Sequence, residues 1–217
     1  LIITKWPVLK PIVNQIMDIY FMISSGEHDH DISKTIIPKS SSGRLISTRD
    51  LLKWCQRIIE DFDLTSTKAS LAVFQDAIDC FCKHISSTYE RVNLAKSVGT
   101  KLNLTEAKIE YFCTKYKPEI SISSDIVKIG RVTLMKRKQN TISEKRCSKT
   151  VYAHTRQSLA LLESVAVAVK NSEPVLLVGE TGTGKTSVVQ YLADLLGHKL
   201  TVINMNQQSD SVDLLGG

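Results

Sequence analysis

Eight residues near the end of the sequence, Gly179-Glu180-Thr181-Gly182-Thr183-Gly184-Lys185-Thr186, constrain the fold more than any other stretch. They follow a short, wholly apolar run, Pro174-Val175-Leu176-Leu177-Val178, of the kind that fills a buried parallel strand. They precede a helical pattern from about Lys185 to Leu196, which Gly197 stops. Leu200 to Asn204 then reads as a second strand. Strand, glycine-rich turn, helix and strand in that order predict the opening of a parallel α/β core. The pattern G-x-x-x-x-G-K-S/T specifies four residues and arises by chance in about 1% of chains this long. Its position between a strand signal and a helix signal is an independent constraint, so the fold predicted here is that of an α/β P-loop NTPase.

The chemistry follows from the residue types. Gly179, Gly182 and Gly184 permit backbone angles that a Cβ disfavours and let the main chain approach phosphate oxygens. The backbone N–H groups from about Thr181 to Thr186, Glu180 preceding them, form an anion nest at a helix N-terminus. Lys185 brings a point charge to the β- and γ-phosphates, and Thr186 offers its hydroxyl to Mg²⁺. The expected ligand is therefore ATP with Mg²⁺. Hydrolysis needs a second motif, an apolar strand ending in paired acids that place Mg²⁺ and water. No such run follows the loop, and no Asn-Lys-x-Asp guanine-reading motif is present. The expectation is a piece of a larger ATPase, inactive by itself in hydrolysis.

Upstream the pattern is helical. Pro7 to Ile23 has helical length, with Pro11 suited to a first helical position. Ser24 to Gly43 loses the rhythm and reads as a long loop. Ser47 or Thr48 caps a helix carrying Leu51, Leu52, Cys55, Ile58 and Ile59. Further helices are predicted from near Thr67 with Leu71, Phe74, Ile78 and Phe81 buried, from Tyr89 to Val98, and from Thr105 to Tyr116. Loose alternation from Ile120 to Leu134, with a turn near Gly130, predicts a β-hairpin. Lys136 to Lys149 is a basic linker, and Thr155 caps a helix running to Lys170. The divisions are thus a helical subdomain at 1–118, a hairpin and linker at 119–150, and the start of an ATPase core at 151–217.

The chain has 217 residues, 42% of them hydrophobic and 23% charged, which suits a packed core and excludes wholesale disorder. No stretch reaches the length of a membrane span, and the N-terminus lacks the pattern of a signal peptide. Five cysteines, Cys55, Cys80, Cys82, Cys113 and Cys147, are odd in number and lack CxxC spacing. They read as buried free thiols in a reducing compartment. The net charge of +6 is too small to establish nucleic-acid binding. Lys136-Arg137-Lys138 with Lys145, Arg146 and Lys149 offers only a weak RNA contact, because no aromatic residue interleaves it. His28-Asp29-His30-Asp31 is a poor metal site, since no second pair of ligands accompanies it.

The run Glu173 to Thr186 resembles the AAA+ ATPases of the dynein-related branch. The continuation is more specific. Gly197-His198, Val202-Ile203-Asn204-Met205-Asn206-Gln207-Gln208-Ser209-Asp210 and Asp213-Leu214-Leu215-Gly216-Gly217 resemble the midasin family. Gly43-Arg44-Leu45-Ile46-Ser47-Thr48-Arg49-Asp50-Leu51-Leu52-Lys53-Trp54-Cys55 is similar to the lid of the module that precedes this one in that family, and Tyr116-Lys117-Pro118-Glu119-Ile120 to its connector.

The resemblance implies the end of one AAA+ module and the start of the next, set in a ring of modules within one polypeptide. It implies that Arg49 is a sensor-2 arginine for the preceding module's nucleotide; the alternative is a solvated first-turn arginine. It further implies ATP-driven remodelling of precursors of the large (60S) ribosomal subunit, with release of assembly factors, in the nucleolus and nucleoplasm of the nucleus. Two other readings stay open: a module that holds ATP without hydrolysing it, and a fragment of an unrelated P-loop NTPase. Apolar surface is expected to stand exposed in the second half, where most of the sheet is not encoded.

Overall fold

The computed structural model describes residues 2–25, 46–61, 69–85, 87–137 and 152–205. They form two compact units, Leu1–Tyr116 and Lys117–Gly217. The first unit is helical: α1 (Ile2–Lys5), a 3₁₀ segment (Pro7–Ile12), α2 (Val13–Ser25), α3 (Thr48–Asp61), α4 (Ala69–Ala77) running into a π-turn (Ile78–Cys82), α5 (Thr88–Lys101) and α6 (Glu106–Thr114). Pro11 lies inside the 3₁₀ segment, so α2 begins two residues after the position the sequence suggested. Ser47 precedes α3, and its N–H and hydroxyl donate to Asp50 Oδ2 at 2.9 and 3.0 Å, a capping arrangement that fixes the helix start.

Trp54, Phe74 and Phe81 are fully buried at the centre of this unit. Trp54 meets Phe81 edge-on at 5.3 Å, and its indole N–H donates to the Val73 carbonyl at 3.1 Å. The largest core residue thus buries its one polar atom with a partner. Gly99 lets α5 approach α6, since a Cβ there would fall 2.5 Å from Ile109 Cδ1. Arg57, Asp76 and Asp79 are buried together: Arg57 Nη1 lies 3.9 Å from Asp76 and 3.6 Å from Asp79, and Lys83 Nζ lies 2.7 Å from Asp79.

Cys55, Cys80 and Cys82 are buried free thiols and Cys113 is half-buried; Cys147 lies outside the described residues. Burial pushes Cys55 up to about 11 and Cys80 up to about 12, from an ordinary 9.0, and drives Cys82 and Cys113 upward as well. Below pH 9 these thiols are neutral whether folded or unfolded, so their full contribution to stability is present there. Above pH 9 the unfolded chain releases protons that the folded chain retains, and stability falls as pH rises. At about 1.4 kcal/mol per unit for one thiol, Cys80→Ala is expected to make the loss between pH 9 and 10.5 smaller by about 1.5 kcal/mol. Urea unfolding at a series of pH values checks this; parallel losses in the two proteins would contradict it.

The second unit carries a three-stranded antiparallel sheet in the order β1 (Ile120–Ile122), β2 (Ile126–Ile129), β3 (Val132–Met135). The turn expected near Gly130 is present, at φ 53°. The single expected hairpin is corrected to three strands, because Ile120 pairs with Ile129 and Ile122 with Val127. Alternation places Val127, Ile129, Val132 and Leu134 on one face. That face packs on Leu159, Leu162 and Ala166 of α7 (Arg156–Lys170) and on Val188, Leu192 and Leu196 of α8 (Lys185–Leu196). Thr155 caps α7 as expected, its hydroxyl accepting from Ser158 N–H at 3.1 Å. Glu163, buried on α7, accepts from the Arg131 N–H at 2.9 Å and lies 3.4 Å from the Arg131 guanidinium, which clamps the sheet's turn to the helix.

The strands expected at 174–178 and 200–204 are not formed. A strand exists only through its ladder partners, and among the described residues neither segment has one. Leu176 and Val178 stand 87% and 85% exposed, and Val202, Ile203 and Met205 are also exposed, as expected for this half of the chain. Among the described residues no helix is long and apolar enough to cross a membrane, and no group of side chains is arranged to hold a metal. The loop at 26–43 with its histidines, the linker beyond Arg137, and 206–217 lie outside the described residues.

Candidate phosphate-binding site

The site is built on α8. Val188, Leu192 and Leu196 recur at helical spacing and are buried against α7 and the sheet. The helix C-terminus is closed by Gly197 in the left-handed region, with His198 N–H donating to the Ala193 carbonyl at 2.9 Å. Arg137 N–H also donates to the Leu196 carbonyl at 2.9 Å, tying the end of the sheet to the end of the helix. A second attachment was not legible beforehand. Tyr152 stacks on Tyr191 at 4.3 Å with 9° between the rings, and His154 Nε2 lies 3.0 Å from the Tyr191 hydroxyl. Burial raises the pKa of both tyrosines. The signal was only two aromatics nearly forty positions apart, and spacing does not predict such a pairing.

With its far end fixed, α8 presents its N-terminus to the glycine-rich turn. Gly182 and Gly184 both have φ +83°, which L side chains rarely adopt, and a Cβ at either would meet nothing within 4 Å. The backbone is therefore shaped by glycine, and the space beside it is open. Gly184 is the N-cap and supplies no capping side chain, and no acid occupies the first turn. The first amides of α8 and the positive end of its dipole are left for an anion.

Lys185 Nζ donates to the Gly179 carbonyl at 2.9 Å and the Glu180 carbonyl at 2.5 Å, and approaches Thr183 Oγ1 at 3.3 Å. Thr183 Oγ1 donates to the Glu180 carbonyl at 2.8 Å. Thr181 and Thr186 are exposed at the loop. The residues expected from sequence, 179–186, are thus one contiguous feature on one helix end. Arg49 lies in the other unit, exposed in the first turn of α3.

The chain was compared with known proteins. A family model described as the midasin AAA lid domain matches residues 1–105, and one for the AAA domain of the dynein-related subfamily matches residues 174–217. Midasin of Dictyostelium discoideum is 41% identical over 211 residues, covering 85% of this chain. The chain belongs to the midasin family. Midasin of Giardia intestinalis is 31% identical over 82% of this chain, and a Lon protease homolog of Acanthamoeba polyphaga mimivirus is 33% identical over 33% of it. The chain spans about 4% of the length of either midasin and 7% of the Lon homolog. No solved structure matches it. In this midasin-family chain the lid match takes in α1 to α5, and the AAA match takes in the glycine-rich loop and α8. It is an AAA+ sequence in which a lid match is followed by an AAA-domain match.

Proposed function

We propose that residues 179–186 bind ATP with Mg²⁺ as the phosphate loop of an AAA+ module. The observation that carries this reading is the conjunction at Gly182 and Gly184: left-handed backbone, open space beside it, and an uncapped helix N-terminus. The donor set suits a polyphosphate, because backbone amides, the Lys185 ammonium and the Thr186 hydroxyl are all donors or hard-cation ligands. Amides from about Thr181 to Thr186 hold the phosphates, Lys185 neutralises charge on the β- and γ-oxygens, and Thr186 ligates the metal. Bound Mg²⁺ supplies further neutralisation of the phosphate charge. Arg49, exposed in the first turn of α3, would report on the nucleotide of the preceding module, as the family resemblance implies.

The wider function is remodelling of large-subunit ribosome precursors in the nucleolus and nucleoplasm, with ATP-dependent release of assembly factors. Neighbouring AAA+ modules of the same polypeptide would complete the ring. Family membership supports this, and the full-length protein tests it. Lys185→Ala in that protein is expected to leave assembly factors on the pre-60S particle when ATP is added, at under a tenth of the wild-type release rate. Release at the wild-type rate would contradict the proposal.

A further inference from the structure

Thr183 stands between the two left-handed glycines and falls outside the pattern that defines the motif. A sequence reading gives it only a backbone amide. The structure gives its side chain two contacts. Its hydroxyl donates to the Glu180 carbonyl at 2.8 Å, closing the loop across Thr181 and Gly182. The same oxygen lies 3.3 Å from Lys185 Nζ, which also donates to the carbonyls of Gly179 and Glu180. It also sits close to Gly179, where a built Cβ would lie 3.5 Å from it.

We propose that Thr183 is a positioning residue: its hydroxyl holds the glycine-rich loop in its binding shape and retains the Lys185 ammonium at the loop's mouth. Glycines have the most freedom to lose on ordering, so a loop containing three of them gains most from one internal tie. The tie also separates two roles. Lys185 exchanges its carbonyl partners for phosphate oxygens when nucleotide arrives, whereas the Thr183–Glu180 bond involves no donor the phosphate needs and persists. Ordering the loop beforehand removes part of the entropic cost of binding. The inference rests on the nucleotide reading of this loop.

Thr183 is exposed, so its substitution leaves the core untouched. Thr183→Val keeps the shape and removes the hydroxyl; Thr183→Ser restores it. Two quantities are measured on the 217-residue chain: amide hydrogen exchange of 180–185 without nucleotide, and the affinity for MgATP by calorimetry. Thr183→Val is expected to speed loop exchange and weaken MgATP binding, each by about five-fold, the worth of one hydrogen bond. Thr183→Ser is expected to return both to within two-fold of wild type. Exchange and affinity within two-fold of wild type in Thr183→Val would overturn the inference. So would failure of Thr183→Ser to restore them. Lys185→Ala is measured beside them: if it binds MgATP like wild type, the nucleotide reading fails, while the exchange data still judge the tie.

Discussion

Arg57→Met is expected to destabilise the Leu1–Tyr116 unit by about 3–5 kcal/mol, the usual cost of removing one partner from a buried charge cluster. The side chains of Arg57, Asp76 and Asp79 are 5%, 6% and 7% exposed, and the guanidinium approaches both carboxylates within 4 Å. Met fills much of the same volume, so the loss is electrostatic: two buried carboxylates are left with less compensation. Lys83 remains near Asp79, but it is half-exposed and its charge is screened. Adding Asp76→Asn and Asp79→Asn to Arg57→Met is expected to recover part of the loss, because a cluster removed as a whole leaves fewer uncompensated charges. Urea unfolding at pH 7 measures all three proteins. A loss under about 1 kcal/mol for Arg57→Met would show that the cluster is solvated, as an exposed ion pair is.

That cluster also marks where sequence reading stops. The helices of the first unit were legible because Leu51, Cys55 and Ile58, or Phe74, Ile78 and Phe81, recur at the helical period on a buried face. A charged residue carries no such signal. Nothing in the sequence singles out Arg57 on α3 or Asp79 in the π-turn, and only packing of the two segments shows that they are buried partners. In the second unit Val127, Ile129, Val132 and Leu134 were legible as strand positions by alternation, but the three-residue β1 was too short to separate from its neighbour. The apolar runs at 174–178 and 200–204 have strand composition without strand structure, since composition does not supply a ladder partner. Within the candidate site, the glycine turn at Gly182 and Gly184 and the helix that Lys185 opens were legible, because the turn demands left-handed backbone. The Thr183 tie and the Tyr152–Tyr191 stack were not, because side-chain geometry at those positions follows from the fold.

Lys185→Ala is expected to lower MgATP affinity by about a hundred-fold. The ammonium now rests on the carbonyls of Gly179 and Glu180, at the mouth of the loop, where it can reach phosphate oxygens without rearranging α8. Hydrogen bonds to charged groups contribute about 1.5–3 kcal/mol each, and two of them correspond to a hundred-fold or more. The alanine variant keeps the fold, because α8 is anchored by the buried Val188, Leu192 and Leu196. Isothermal titration of the wild-type and Lys185→Ala chains with MgATP is the most direct test that residues 179–186 form a nucleotide site. Saturable binding at one site in wild type, lost in Lys185→Ala with helix content unchanged by circular dichroism, is the predicted result. Equal affinity in the two proteins, or no saturable binding in wild type, would contradict it.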